Sequence, residues 1–280
     1  MVRMIARLWV NRRIRKATAD PHSTSLRAGF QLPSVAQDDS ALGEGGVWLR
    51  YNSRDFLKRV ERLTLKNGKA AGGAGGRGLR EGFGMTPASL RTLRGLKTPK
   101  RIQQFIDGLT YQYADTAGSP QRTLRERKGH CLEGALVAAA ALRLKGHPPL
   151  LMDLEGEHDD DHVLAVYREK GLWGSLAKSN FAGLRSRKPV YRTLRELAMS
   201  YFEHYYNLRG EHTLRSYSRP VNLARLDGRQ WMTAEEDVWC VAELLIAARH
   251  YPVAPKKLVR VLPHLDRRSF EAGMHGWTRH

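Results

Sequence analysis

A run of small residues near the middle of the chain leaves few ways to fold it. Residues 129–146 read GHCLEGALVAAAALRLKG and are dominated by alanine and glycine after Glu133. Alanine is the best helix former, and glycine is typical just beyond the last turn of a helix, as Gly146 is here. Because its side chains are small, such a helix can pack closely against a sheet. We therefore expect a slim, buried helix that starts at Cys131.

Two short helices are predicted between Met85 and Leu109. Thr86 and Thr98 each precede a proline. In this arrangement threonine caps the helix and proline takes its first position. Apolar residues then recur at the spacing of one helix face. They are Leu90, Leu93, Leu96, Ile102, Phe105, Ile106 and Leu109.

The second half of the chain adds strands and then further helices. Residues 148–154, PPLLMDL, are nearly all apolar, as in a buried strand. Residues 161–167 and 172–178, DHVLAVY and LWGSLAK, flank a turn that Gly171 permits, which predicts a β-hairpin. Two helices should follow, one over 191–210 and ended by Gly210, the other over 232–250 and capped by Thr233. This order predicts an α+β fold with the cysteine-bearing helix packed on an antiparallel sheet.

The domain boundary is expected at Met85. Residues 1–84 contain no acid before Asp20, and KNGKAAGGAGGRG, residues 66–78, cannot build a core. We expect residues 1–84 to be a basic, poorly ordered N-terminal extension with a Gly-rich linker, or sequence ahead of a later start. Residues 85–280 should form the folded domain.

Composition bounds the class of protein. The net charge of +19 favours contact with nucleic acid or other anionic surfaces, but no nucleic-acid-binding motif accompanies it. Two cysteines do not make a disulfide framework, so a cytoplasmic location is expected. No apolar run approaches the roughly 18 residues of a membrane helix, so no membrane span is expected. We also expect no cofactor, and the sequence leaves the oligomeric state open.

Cys131 is the candidate nucleophile. A helix start concentrates partial positive charge, and Arg125, Arg127 and Lys128 lie just upstream. Both effects favour the thiolate, which is the nucleophilic form of cysteine. Backbone N–H groups at the same helix start could hold an oxyanion. The alternative is an ordinary buried cysteine, and that is the role expected for Cys240 in DVWCVAELL.

His162 is the candidate acid and base, because a thiolate enzyme needs a histidine and a group that orients its ring. Strand alternation places His162 on one face with Leu164. A register that pairs Leu164 with Leu176 would bring Asn180 to that face, and an amide oxygen can accept from the imidazole N–H. Asn180 is therefore the predicted orienting residue. Registers one residue off would offer Ser175 and Ser179 instead.

Residues 125–182 resemble the transglutaminase-like superfamily of cysteine peptidases and acyltransferases. Cys131 starts a small-residue helix, a strand follows, His162 opens the next strand, and Trp173 lies in the one after. Residues 159–207 are also similar to a bacterial family of uncharacterised proteins with that core. The resemblance implies a papain-like α+β fold and a Cys–His–Asp triad.

This sequence departs from that superfamily in two respects. The segment GSLAKSNF, residues 174–181, contains no acid where the superfamily places its Asp, and Asn180 is the nearest substitute. Gln121 is the only nearby candidate for the oxyanion hole. His130 and Glu133 are candidates for an accessory role, with capping the first role expected for Glu133.

One further pattern competes with the nucleophile. His158 and His162 bracket three aspartates and could suggest a metal site, but they share a face only if that stretch is helical. An acidic loop is favoured, with no metal.

The sequence as a whole predicts thiol-dependent acyl transfer on an amide or peptide. The alternatives are an inactive member of the fold that binds a peptide or partner, and, more weakly, a nucleic-acid-associated protein.

Overall fold

The computed structural model of the protein describes residues 82–277. The predicted N-terminal extension and its Gly-rich linker lie outside these residues, apart from the last three positions before Met85. The boundary at Met85 therefore stays a prediction. Met85 itself is buried in the core.

The described residues form a mixed α and β structure. The helices are α1 (Pro87–Gly95), α2 (Pro99–Asp107), α3 (Pro120–Glu126), α4 (Cys131–Arg143), α5 (Leu194–Met199), α6 (Trp239–Ala247), α7 (Lys256–Val259) and α8 (Arg267–Gly273). The strands are β1 (Thr110–Tyr111), β2 (Lys128–Gly129), β3 (Leu150–Gly156), β4 (His162–Glu169), β5 (Leu172–Leu176), β6 (Arg187–Tyr191), β7 (Leu214–Ser218), β8 (Val221–Asn222) and β9 (His250–Pro252). Among residues 82–277, no helix is both long and apolar enough to cross a membrane.

The main sheet is antiparallel and positions the cysteine-bearing helix. Its strand order is β6-β5-β4-β3-β7-β9, and β8 pairs with β3 beside this path. Val163 and Ala165 of β4 belong to the same buried cluster as α4, whereas Leu164 and Val166 belong to a second cluster with α5. The alternation along β4 thus places one layer of helices on each face, which confirms the predicted α+β class.

Local capping signals set the helix starts as predicted. The side chains of Thr86 and Thr98 accept hydrogen bonds from the backbone N–H groups of Ser89 and Arg101, and each helix begins at the following proline. Helix α4 begins at Cys131, as the small-residue pattern predicts. All of its residues up to Leu142 are buried, because their small side chains let the helix lie close to β4.

The hairpin forms, but in a register one residue away from the preferred prediction. Ala165, not Leu164, lies opposite Leu176. The turn has two residues, Lys170 with φ 48° and Gly171 with φ 81°. This is the backbone of a type I′ turn, whose twist matches the flanking strands, so the turn geometry fixes the register.

Two predicted helices are shorter than expected. Helix α5 ends at Met199, not at Gly210, because the chain turns there to bury Tyr201 and Tyr205 against the sheet. Helix α6 starts at Trp239, and Thr233 does not cap it.

The residues before Trp239 are held by other contacts. Glu235 forms two hydrogen bonds with Arg125, and Asp237 accepts from Arg122 and from the N–H of Ala117. These acids therefore hold the segment against α3 and the residues just before it. The helical prediction for 232–238 is wrong.

Candidate active site

Cys131 lies at the N-terminal end of α4 with its thiol surrounded by polar groups. Its Sγ lies 3.8 Å from the backbone oxygen of Asp161, which precedes β4, and 3.9 Å from Nδ1 of His130. The residue is 6% exposed, so the thiol lies just beneath the surface. The Cys131 backbone N–H is at the first position of the helix, where no intrahelical acceptor is available.

His162 is the first residue of β4 and is among the groups that interact with the Cys131 thiol. Its Nε2 lies 2.8 Å from the backbone oxygen of Leu184. A carbonyl only accepts, so Nε2 must carry a proton. In the neutral ring the lone pair then resides on Nδ1, which is the form needed to accept a proton from a thiol or from water.

The surroundings of Cys131 stabilise its thiolate. Burial raises the pKa of the Cys131 thiol, but hydrogen bonds and charge from His130 and His162 outweigh it and lower this pKa to about 6. The two imidazoles therefore add to the stabilisation of the thiolate that the helix start provides. The sequence placed Cys131 and His162 in one site, and His162 is among the groups that lower the pKa of Cys131.

His130 is the second imidazole, and it is fully buried. It caps α4, with Nδ1 accepting from the N–H of Leu132 at 3.2 Å, and its Nε2 lies 3.0 Å from the backbone oxygen of Thr116. Glu133 completes a capping box, since its Oε2 accepts from the His130 N–H at 3.0 Å. This confirms the capping role expected for Glu133.

Glu133 also contacts the His130 ring. Its Oε2 lies 3.1 Å from Nδ1 of His130, and both side chains are almost fully removed from solvent. Its Oε1 accepts from the Thr116 hydroxyl at 2.7 Å and from the Gly118 N–H at 3.0 Å. Burial lowers the pKa of His130, but the hydrogen bond with Cys131 and the charge of Glu133 raise it to about 9.

The predicted orienting residues do not reach His162. The amide nitrogen of Asn180 donates to the Tyr113 hydroxyl at 2.7 Å. Ser175 hydrogen bonds with the Tyr201 hydroxyl at 2.7 Å, and Ser179 accepts from the Phe181 N–H at 3.0 Å. The shifted register and the end of β5 at Leu176 account for this, because residues beyond Leu176 leave the strand. The Leu184 carbonyl takes the orienting position instead.

Two other sequence candidates lie apart from the thiol. The Gln121 amide oxygen accepts from the Thr86 N–H at 2.7 Å, so it is engaged with the start of α1 and not with an oxyanion. His158 has φ 59°, which excludes a helix through 158–162 and confirms an acidic loop. Over residues 82–277, no group of three metal-ligating side chains converges.

Tyr111 is a site residue that the sequence did not indicate. It pairs with Gly129 in the small β1–β2 sheet, two positions before Cys131. Its ring meets that of Tyr113 edge-on, and its hydroxyl has no hydrogen-bond partner among residues 82–277. Burial, and then the negative charge of Cys131, raise the pKa of Tyr111 above its usual range, so its hydroxyl stays a donor. The alternating aromatics of Tyr-Gln-Tyr, 111–113, were the available signal.

Lys178 lies in the segment where the resemblance implied an acid. It is buried, and its Nζ donates to the backbone oxygen of Leu109 at 2.6 Å. Burial lowers the pKa of Lys178, with Asp107 opposing. A Cβ on Gly134 of α4 would lie 2.5 Å from the Lys178 Cβ, so only glycine allows this close approach.

No protein-family model matches this chain. A search of curated proteins finds no match either. The chemistry of the site is therefore argued from its geometry.

Proposed function

We propose that the protein catalyses thiol-dependent acyl transfer on an amide or peptide carbonyl, with Cys131 as nucleophile and His162 as acid and base. The observation that carries this proposal is the thiol itself. Two imidazoles lower its pKa to about 6, so it is largely thiolate at neutral pH.

The proposed reaction has two steps. The Cys131 thiolate attacks the carbonyl carbon, and a C–S bond forms while the carbonyl oxygen takes the negative charge. The intermediate then collapses, the C–N bond breaks and the amine leaves with the proton of the imidazolium that balanced the thiolate. Water or a second amine attacks the resulting thioester, with the Nδ1 lone pair of His162 accepting its proton. The thiolate is released with the acid or the new amide, and the proton taken up by His162 restores the imidazolium that balances the thiolate.

The charge on the carbonyl oxygen needs donors. The Cys131 N–H is at the helix start, and a donor there acts with the positive end of the helix dipole. The Tyr111 hydroxyl is the second donor that we propose. It has no hydrogen-bond partner among the described residues, and burial and the negative charge of Cys131 raise its pKa.

The proposed fold relationship is to the transglutaminase-like superfamily. The order of α4, β3 and the β4–β5 hairpin, with Cys131 and His162 at the first positions of their elements, supports a papain-like core. The orienting group differs, since a backbone carbonyl rather than a carboxylate or amide binds Nε2 of His162. A carbonyl fixes the tautomer as a carboxylate does, but without its charge.

This difference favours one alternative, a peptide-binding module that uses the same cleft without turnover. A ring without a carboxylate is a weaker proton acceptor, and the thiol is 6% exposed. Turnover separates the two functions, because a binding module would retain its ligand when Cys131 is replaced.

The test uses the full chain with chromogenic phenyl esters of N-acylated amino acids. We expect phenolate release that Cys131→Ser and His162→Asn abolish. Cys240→Ser is the matched control and should retain release, because Cys240 belongs to α6 and takes no part in the contacts of the site described above. Release that survives Cys131→Ser would contradict the proposal. Binding of a peptide by Cys131→Ser, together with no release by the original chain, would support the alternative.

A further inference from the structure

We propose that the proton of the Cys131 thiol is held by His130, supported by Glu133, rather than by His162. The role of this proton in catalysis rests on the proposed function. It follows from comparing the two imidazoles that flank the same sulfur. The transfer is from Sγ to Nδ1 of His130: the S–H bond breaks, an N–H bond forms, and no other reactant is needed.

The two rings have the same support on one side. Nε2 of each ring donates to a backbone carbonyl, Thr116 for His130 at 3.0 Å and Leu184 for His162 at 2.8 Å. Both contacts fix the tautomer so that Nδ1 is the nitrogen free to accept a proton. Neither contact distinguishes the rings, because both acceptors are neutral.

At the other nitrogen, His130 has a carboxylate within contact distance. Glu133 Oε2 lies 3.1 Å from Nδ1, and Glu133 is 2% exposed. Three further donors approach the Glu133 oxygens: the Thr116 hydroxyl, the Gly118 N–H and the His130 N–H. An ionised carboxylate only accepts, so this set of donors suits the charged form. The charge acts in a buried region, where it stabilises a nearby imidazolium more strongly than in water.

One contact opposes protonation of His130. Nδ1 also accepts from the Leu132 N–H at 3.2 Å, and a proton on Nδ1 removes that acceptor. The lost bond is between neutral groups. The bond gained with Glu133 joins two charged groups, and charge-assisted hydrogen bonds are roughly twice as strong. The carboxylate therefore decides where the proton lies.

Titratable groups from three elements surround the sulfur, and Asp160, Asp161 and Tyr205 lie beside them. Cys131 and Glu133 belong to α4, His162 to β4 and Tyr111 to β1. Tyr111 feels the negative charge of both Cys131 and Glu133. No described lysine or arginine is among the groups that set the protonation of Cys131 or His130. The groups that lower the pKa of Cys131 are the imidazoles of His130 and His162.

The first experiment measures the thiolate directly, in a Cys240→Ser background, from its ultraviolet absorbance as a function of pH. His130→Asn and His162→Asn are matched variants, and asparagine is among the preferred helix caps, so α4 keeps a cap in the first. We expect His130→Asn and Glu133→Gln each to reduce the fraction of Cys131 present as thiolate at pH 7 at least tenfold, toward the fraction of an ordinary cysteine. We expect His162→Asn to retain most of the thiolate. Loss of the thiolate in His162→Asn with retention in His130→Asn would overturn the inference.

The second experiment needs no variant to fold. The chain contains eleven histidines, and nitrogen-15 labelling distinguishes imidazolium from either neutral tautomer by NMR. We expect one imidazolium in the original chain that persists at pH 8, beyond the range of an ordinary histidine. Its absence would overturn the inference. Neither readout uses a substrate, so failure here is distinct from failure of the proposed acyl transfer, and the converse also holds.

Discussion

Cys131 should react with iodoacetamide at a pH where an ordinary cysteine is inert. Only the thiolate reacts, and the pKa of Cys131 is lowered to about 6 by His130 and His162 against the opposing effect of burial. Below this pH the thiol is protonated and the rate should fall tenfold per pH unit. Above it the rate should reach a plateau. Cys240 offers an internal comparison, because burial raises its pKa.

The midpoint of the pH profile is more informative than the rate at one pH. At pH 7 a thiol of pKa about 6 is about nine-tenths thiolate, against about 3% for an ordinary thiol of pKa about 8.5. A thiolate of lower pKa is also a weaker nucleophile, which removes roughly tenfold of this roughly 30-fold advantage. At pH 6, however, Cys131 should react at about half of its plateau rate, and an ordinary thiol at under about 1% of its own.

The assay is timed alkylation of the folded chain at a series of pH values, followed by peptide mass mapping of both cysteines. Dividing each rate by its plateau removes differences in access between the two sites. A Cys131 midpoint near pH 8.5 would refute the reasoning, since the imidazoles would then not stabilise the thiolate. Equal profiles for Cys131 and Cys240 would refute it as well.

Three further predictions concern the neighbours of the site. Gly134→Ala should lower the free energy of unfolding by up to about 2 kcal/mol, because overpacking against Lys178 costs about 1–3 kcal/mol and helix propensity returns about 1. Gly95→Ala, with nothing within 4 Å of the new Cβ, should be neutral or stabilising by up to about 1 kcal/mol in the same thermal unfolding measurement; equal losses in both variants would contradict the packing argument. Asn180→Ala should leave ester turnover within about twofold, since its amide binds Tyr113 and not His162; a loss comparable to that of His162→Asn would restore Asn180 as the orienting residue. Tyr111→Phe should reduce turnover by about 10²-fold with little change in the alkylation midpoint, as expected for an oxyanion donor; unchanged turnover would exclude that role.

Much of the fold follows from local patterns. The caps at Thr86 and Thr98, the start of α4 at Cys131 and the β4–β5 hairpin depend on residues close together in the sequence. Each is set by backbone groups that a neighbouring side chain or turn residue can satisfy. Such signals are complete within a few residues, so the sequence alone suffices to predict them.

The errors have two causes, one long-range and one local. Helix α6 starts late because Glu235 and Asp237 bind arginines more than a hundred residues earlier in the chain. The hairpin register depends on Lys170 adopting a left-handed backbone conformation, which its residue type disfavours.

The group that orients His162 could not be predicted from the sequence either. It is the backbone oxygen of Leu184, and a carbonyl carries no mark in the sequence. His130 and Glu133 were visible as a cap, but the closeness of the His130 ring to the sulfur depends on the backbone path into α4. The sequence therefore predicts which residue types form a site better than it predicts the hydrogen bonds between them.

The most direct test of acyl transfer at Cys131 is to find the acyl group. The full chain is mixed with a chromogenic ester, quenched in acid during the initial release of phenolate, and mapped by peptide mass spectrometry. We predict a thioester on Cys131 that is absent from Cys240 and that disappears on addition of hydroxylamine or a primary amine. Phenolate release with the acyl group on another residue, or with no acyl group on Cys131 at any quench time, would contradict the proposed mechanism.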